Sequence, residues 1–109
     1  MESSTVIAQL NDQFRRGDRN LGTYVMTPGV QILAPEKILR LIQLVQSFNS
    51  FTKDNDAHQE HDFGAVVMND EKYCWKISYH DPTFTYLSND PSSITATRRV
   101  LTVMESSEY

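Results

Sequence analysis

A single cysteine, Cys74, stands among the 109 residues, so neither an internal disulfide framework nor a cysteine-rich zinc site can form, because each needs several sulfurs. Only four glycines are present, and they form no glycine-rich phosphate loop. No apolar run approaches the roughly 18 residues that suggest a membrane-spanning helix. The opening MESSTVIAQLNDQF lacks the basic start and apolar run of a signal peptide. Basic residues pair only at Arg15-Arg16 and Arg98-Arg99. With a net charge of −4 this argues against direct binding to nucleic-acid phosphates. These absences lead to the expectation of a soluble, cytoplasmic protein with no membrane contact.

What is present is enough for one core. The chain is 39% hydrophobic and carries five phenylalanines, five tyrosines and one tryptophan, the content of a single domain over residues 1–109. Ile7, Leu10 and Phe14 recur at helical spacing within Thr5 to Arg16, with Ser4 as N-cap and Gly17 as terminator. Residues 22–33 read as a strand, or as strand-turn-strand about Pro28-Gly29. From Pro35, a favoured first helical residue, Ile38, Leu41, Ile42, Val45 and Phe48 form one stripe.

Beyond residue 62 the period becomes two. Phe63 to Met68, Tyr73 to His80 and Thr83 to Leu87 read as three strands of a meander. Pairing Met68 with Tyr73 sets Val66 opposite Trp75, Gly64 opposite Ile77 and His61 opposite His80. Val66, Met68, Tyr73, Trp75, Ile77, Tyr79, Phe84 and Tyr86 then share the core face. In the tail, Ala96, Val100, Leu101 and Met104 fit a helical face, so a C-terminal helix is expected over 94–105. The fold class expected is α+β, a small antiparallel sheet of three to four strands with two or three helices packed on one face. Residues 83–87 would form its exposed edge, which can pair with its twin in a homodimer.

Residues 54–64, DNDAHQEHDFG, concentrate the chemistry. Asp54, Asp56, Glu60 and Asp62 offer hard oxygen ligands and His58 and His61 nitrogen, a donor set for a divalent metal. The spacing follows no known template: the sixth residue from Asp54 is Gln59 where a calcium loop needs glycine, and HQEH has neither zinc-protease spacing. The competing reading is structural. Asp and Asn side chains accept hydrogen bonds from nearby amides and can order the connection, with Asp62 salt-bridged to Arg15 or Arg99 and Gly64 allowing close approach beneath Trp75. A nucleophile pair of Cys74 with His80 is excluded by length, since six strand residues span about 20 Å.

Six segments, LNDQFR, MTPGV, DNDAHQEHDFG, WKISYHD, SNDP and TRRVLTVMESSEY, occur in this order. In them the chain resembles a bacterial family of short proteins known as domain of unknown function 3768. The resemblance implies importance for Asn11, Asp12, Arg15, Asp54, Asn55, Asp56, Glu60, His61, Asp62, Gly64, Trp75, Lys76, Tyr79 and Asp81, and brings no activity. Ala57, Ser78 and His80 depart from the family pattern, and the lost acid at 78 counts against catalysis on that strand.

Two functions remain open. The first is a non-enzymatic, acidic protein-binding module without cofactor, using Asp54, Asp56, Glu60, His61, Asp62, Lys76 and Asp81, with Asn11, Asp12, Arg15, Trp75 and Arg99 as a structural network. Inhibition of host defence by a mobile-element protein, of anti-CRISPR or anti-restriction type, is its most specific form. The second is a small metal-dependent hydrolase or nuclease with His61, Asp62 and Lys76 at its centre.

Overall fold

The computed structural model describes residues 2–109, and its elements run α1 (Glu2–Arg15), β1 (Gly22–Met26), α2 (Pro28–Gln31), α3 (Pro35–Gln46), β2 (Phe63–Met68), β3 (Glu71–His80), β4 (Arg98–Glu105) and a 3-10 turn at Ser106–Glu108. The class is α+β. Four strands form one sheet in the order β1-β4-β3-β2. The expected all-antiparallel meander is corrected: β1 lies parallel to β4, and only β2-β3-β4 run antiparallel.

The helices cover one face. Leu10 and Phe14 of α1, Val30 of α2, and Leu41 and Val45 of α3 pack with Met68, Tyr73, Trp75, Ile77, Leu101 and Val103 in one buried cluster. Truncating a member such as Leu41 to alanine costs about 2–5 kcal/mol. α1 starts earlier than its pattern suggested, which puts Ser4 inside the helix, and it ends before Gly17, whose φ of 127° breaks the helical path. Pro28-Gly29 opens the single turn of α2 after the extended residue Thr27, so no second strand follows β1.

Three further readings are corrected. The tail is not a helix over 94–105 but strand β4, where buried Arg99, Leu101 and Val103 alternate with Arg98, Val100 and Thr102. Its β-branched residues are satisfied by pairing with β3 and β1, contacts remote in sequence. Thr83 to Leu87 is a loop held to the sheet by one bridge, His80 to Leu87, and forms no edge strand.

The β2–β3 register is two residues off the expected one: Gly64 faces Trp75 and Met68 faces Glu71. Asn69 and Asp70 take φ of 54° and 65°, so a two-residue turn replaces the longer connection. A two-residue shift preserves the faces of β2 and β3, but Phe84 and Tyr86, expected on the core side, are exposed because their segment forms no strand. Trp75 lies flat across Gly64, where a Cβ would stand 2.6 Å from the indole nitrogen. Among the described residues no helix is long and apolar enough to cross a membrane.

Candidate functional site

The segment from Phe51 to Asp62 is built from side chains that accept loop amides. Asn55 Oδ1 accepts the Thr52 N–H at 2.8 Å, and Asn55 Nδ2 donates to the Ser50 carbonyl at 2.9 Å. Asp56 is buried, and its Oδ1 accepts the N–H of Glu60 at 3.1 Å and of His61 at 3.0 Å. That double acceptance holds Gln59 and His61 at positive φ, 58° and 56°, a region costly for side chains with a Cβ. The twist turns the His61 ring toward α1.

There the Nδ1 of His61 lies 3.0 Å from both carboxylate oxygens of Asp12, its Nε2 lies 3.6 Å from Asp56 Oδ2, and its ring stacks on Phe51 at 3.9 Å. Asp12 also accepts from Arg15 Nη1 at 3.0 Å. Arg15 is fully buried, donates to the Phe48 carbonyl at 2.8 Å, and sets its guanidinium over the rings of Phe51 and Trp75. A buried guanidinium without such partners would cost several kcal/mol, so the loop and the arginine depend on each other.

A second chain of bonds runs beside the first. Arg99 is buried, donates from Nη2 to the Pro91 carbonyl at 2.6 Å and from Nε to Asn11 Oδ1 at 2.6 Å. Asn11 Nδ2 donates to the Glu60 carbonyl and to the Tyr79 hydroxyl, both at 2.9 Å, and Tyr79 donates to Glu60 Oε1 at 2.8 Å. Burial lowers the Arg99 affinity for its proton, only partly offset by its neighbours Tyr79 and Glu60, while burial and the Glu60 carboxylate push the Tyr79 hydroxyl far above its ordinary range. The two chains join α1, the loop, β3 and β4.

An open cleft of about 590 Å³ lies between α1 and this loop, lined among others by Gln9, Asp12, Phe51, Lys53, Asp56 and His61. Asp54 is exposed on the loop. Asp62 forms no ion pair with Arg15 or Arg99, which corrects the salt bridge expected for it: Arg15 takes Asp12, and Arg99 takes Asn11 and Pro91. Burial, then the charge of Glu60, push the Asp62 carboxyl above its ordinary value. Among the described residues no three His, Cys, Asp or Glu side chains are grouped to hold a metal.

The other proposed residues lie elsewhere. Even-numbered positions of β3 face away from the helices, so Lys76 and His80 are on the open face, with Lys76 over the Tyr109 ring and His80 Nε2 at 2.9 Å from Ser78 Oγ. His61 and His80 are thus separated by the sheet, and Lys76 is not brought to His61 and Asp62. Burial pushes the Cys74 thiol up, away from nucleophilic use.

Asp81 organises a different loop. Its Oδ1 accepts the N–H groups of Thr85 and Tyr86, both at 2.9 Å, and its Oδ2 the Thr83 hydroxyl at 2.6 Å. These bonds hold the Asp81 carboxyl below its ordinary value, the Thr83 hydroxyl foremost. Phe84 takes φ of 59° and is 53% exposed, and Tyr86 and Leu87 are each 73% exposed. Sequence reasoning named Asp81 but missed the display of Phe84, Tyr86 and Leu87, because T-F-T-Y-L alternates like a strand. The signal that could have found it is Asp81-Pro82 with Thr83 two residues on, an acceptor at the start of a turn.

A two-layer α+β protein with its helices on one face of a mixed sheet is the class these features define. The chain belongs to the family described as protein of unknown function (DUF3768), whose model matches residues 26–108. The match begins at the last residue of β1, so Asn11, Asp12 and Arg15 lie outside it. Neither the curated proteins nor the solved structures compared with this chain gave a match.

Proposed function

We propose that the chain is a non-enzymatic protein-binding module whose contact surface is the loop from Asp81 to Ile94. The observation that carries this reading is Phe84, a bulky residue at positive φ that is 53% exposed, with one side of its ring tilted against His80 at 6.0 Å. Such a backbone costs on the order of 1–3 kcal/mol, and here the ring is not buried in the core to offset it. The Asp81 clamp imposes the conformation, and its result is a raised display of Phe84, Tyr86 and Leu87, with Ile94 also exposed. Aromatic anchors of this kind carry most of the energy at protein interfaces.

The partner that fits has an apolar pocket within a basic surround, since Asp81 and Asp90 flank the display and the chain carries a net charge of −4. Basic, nucleic-acid-handling proteins of host defence are partners of that chemistry. Inhibition of them by a mobile-element protein, of anti-CRISPR or anti-restriction type, is the most specific form of the proposal. The acids of the 54–62 loop contribute less, because Asp56 is buried and Glu60 is tied to the Tyr79 hydroxyl beneath it.

A photo-crosslinking amino acid placed at Phe84, and separately at Asp54, tests this in cells. The expected outcome is an adduct of one defined mass from position 84 and none from 54. Equal labelling at both positions, or none at 84, would overturn it.

A further inference from the structure

The sheet's two edges differ in their hydrogen bonding. Ile77 donates its N–H to the Asp62 carbonyl at 2.8 Å, which makes 62 and 77 a hydrogen-bonded pair of the β2–β3 ladder. Such pairs recur at every second residue, so Gly64, Val66 and Met68 also turn their amides toward β3. Phe63, Ala65 and Val67 direct theirs outward, where no described residue meets them. At the opposite edge the Met26 carbonyl accepts from Gln31 Nε2 at 2.6 Å, and the chain turns at once into α2.

β2 also lacks every usual protection of a free edge. Its sequence, FGAVVM, contains no charge and no proline, and its register with β3 is unbroken by a bulge. Apolar side chains flank it in both layers. Val67 is 59% exposed on the open face, and α3, the helix packed on β2, leaves Leu39 60% exposed.

The geometry points to a second copy of this chain as the occupant of this edge, with two β2 strands paired antiparallel about a two-fold axis through Ala65. Phe63, Ala65 and Val67 of each copy then form hydrogen-bonded pairs, about six inter-chain N–H···O=C bonds in all. Ala65 meets its own counterpart, and Phe63 meets the counterpart of Val67. A two-fold axis sets like against like, which a charged strand would resist and this uncharged one accepts. The small Ala65 at the centre and the reciprocal Phe–Val pairs are what self-pairing requires, and an unrelated peptide would require neither.

Sedimentation velocity on the full chain tests this between about 1 and 200 μM, alongside Val67→Lys and Ala65→Pro. The wild type is expected to reach twice its 12.5 kDa mass. Val67→Lys sets a charge against the apolar pair, and Ala65→Pro removes an outward donor that β3 does not use. Both variants are expected at monomer mass with far-UV spectra unchanged. Ala65→Cys should cross-link to a dimer on oxidation, because hydrogen-bonded pairs hold Cα atoms about 5.5 Å apart, within disulfide reach. Cys74 is buried and does not compete.

A wild type that stays monomeric throughout overturns the inference, as do folded variants that keep the dimer mass. If a variant fails to fold, the Ala65→Cys protein decides, and absence of a cross-link is again an overturning result. Phe84→Ser should leave the dimer mass intact, which separates this edge from the display loop.

Discussion

The two loops anchored by Asp56 and Asp81 use one device in opposite directions. In each, an aspartate Oδ1 accepts two consecutive or near-consecutive backbone N–H groups and holds a residue at positive φ. Around Asp56 the twist turns His61 inward, against Asp12 and Phe51, and the loop becomes part of the packing around buried Arg15. Around Asp81 the twist turns Phe84 outward, and Tyr86 and Leu87 follow it into solvent. The difference teaches that a run of acids and histidines marks a brace here, while an inconspicuous threonine-rich turn carries the display. What separates them is what α1 supplies: Asp12 faces the first loop, whereas the second loop's bonds are largely its own.

The comparison breaks most visibly at Arg15. Arg15→Ala leaves Asp12 with His61 alone and empties the space above Phe51 and Trp75, which should cost about 3–5 kcal/mol. Circular dichroism melting should fall by roughly 15 °C or more. Asp56→Ala removes the acceptor of the Glu60 and His61 amides and should cost about 1–3 kcal/mol. The same change at Asp81 should cost less than about 1 kcal/mol, because the amides it frees are reached by water. Its signature lies elsewhere: hydrogen exchange at Thr85 and Tyr86 should accelerate, and the crosslink from position 84 should be lost.

Asp62 gives a smaller effect of opposite sign. Its folded value is raised by burial first and by Glu60 and Asp56 after, so the native state holds the proton more tightly than the unfolded chain. This contribution to stability is full below the ordinary value of 3.8 and is lost as pH rises through the raised folded value. Asp62→Asn removes that loss. At pH 7 it should melt higher by no more than about 4 °C, solvent screening the half-exposed group, and the gain should vanish toward pH 3. A melting point below wild type at pH 7 would mean that the Asp62 carboxylate has a favourable partner.

Elements whose pattern is local were legible in the sequence. The stripe from Ile38 to Val45 identified α3, and the alternation in β2 and β3 assigned the correct faces even though the pairing was two residues off. β4 was misread because Ala96, Val100, Leu101 and Met104 satisfy helical spacing, and only pairing with β3 and β1 decides against it. The importance of Asn11, Asp12, Arg15 and Trp75 came from the resemblance, and Arg99 joined them only as a salt-bridge candidate for Asp62. That Arg15 and Arg99 are fully buried could not be read, since burial of a guanidinium depends on carbonyls of Phe48 and Pro91 that only the fold brings near. The loop's orientation was hidden for a similar reason: positive φ at His61 follows from Asp56, five residues away, and reverses the direction a strand extension would give the ring.

The central claim is that the acidic loop is a brace and the Asp81 loop a display. Melting Asp56→Ala and Phe84→Gly side by side at pH 7 tests it most directly. The account predicts that Asp56→Ala falls by roughly 5–15 °C, while Phe84→Gly holds or rises, because glycine relieves positive φ and the lost ring lay outside the core. An unchanged Asp56→Ala, or a Phe84→Gly that falls as far, would contradict it.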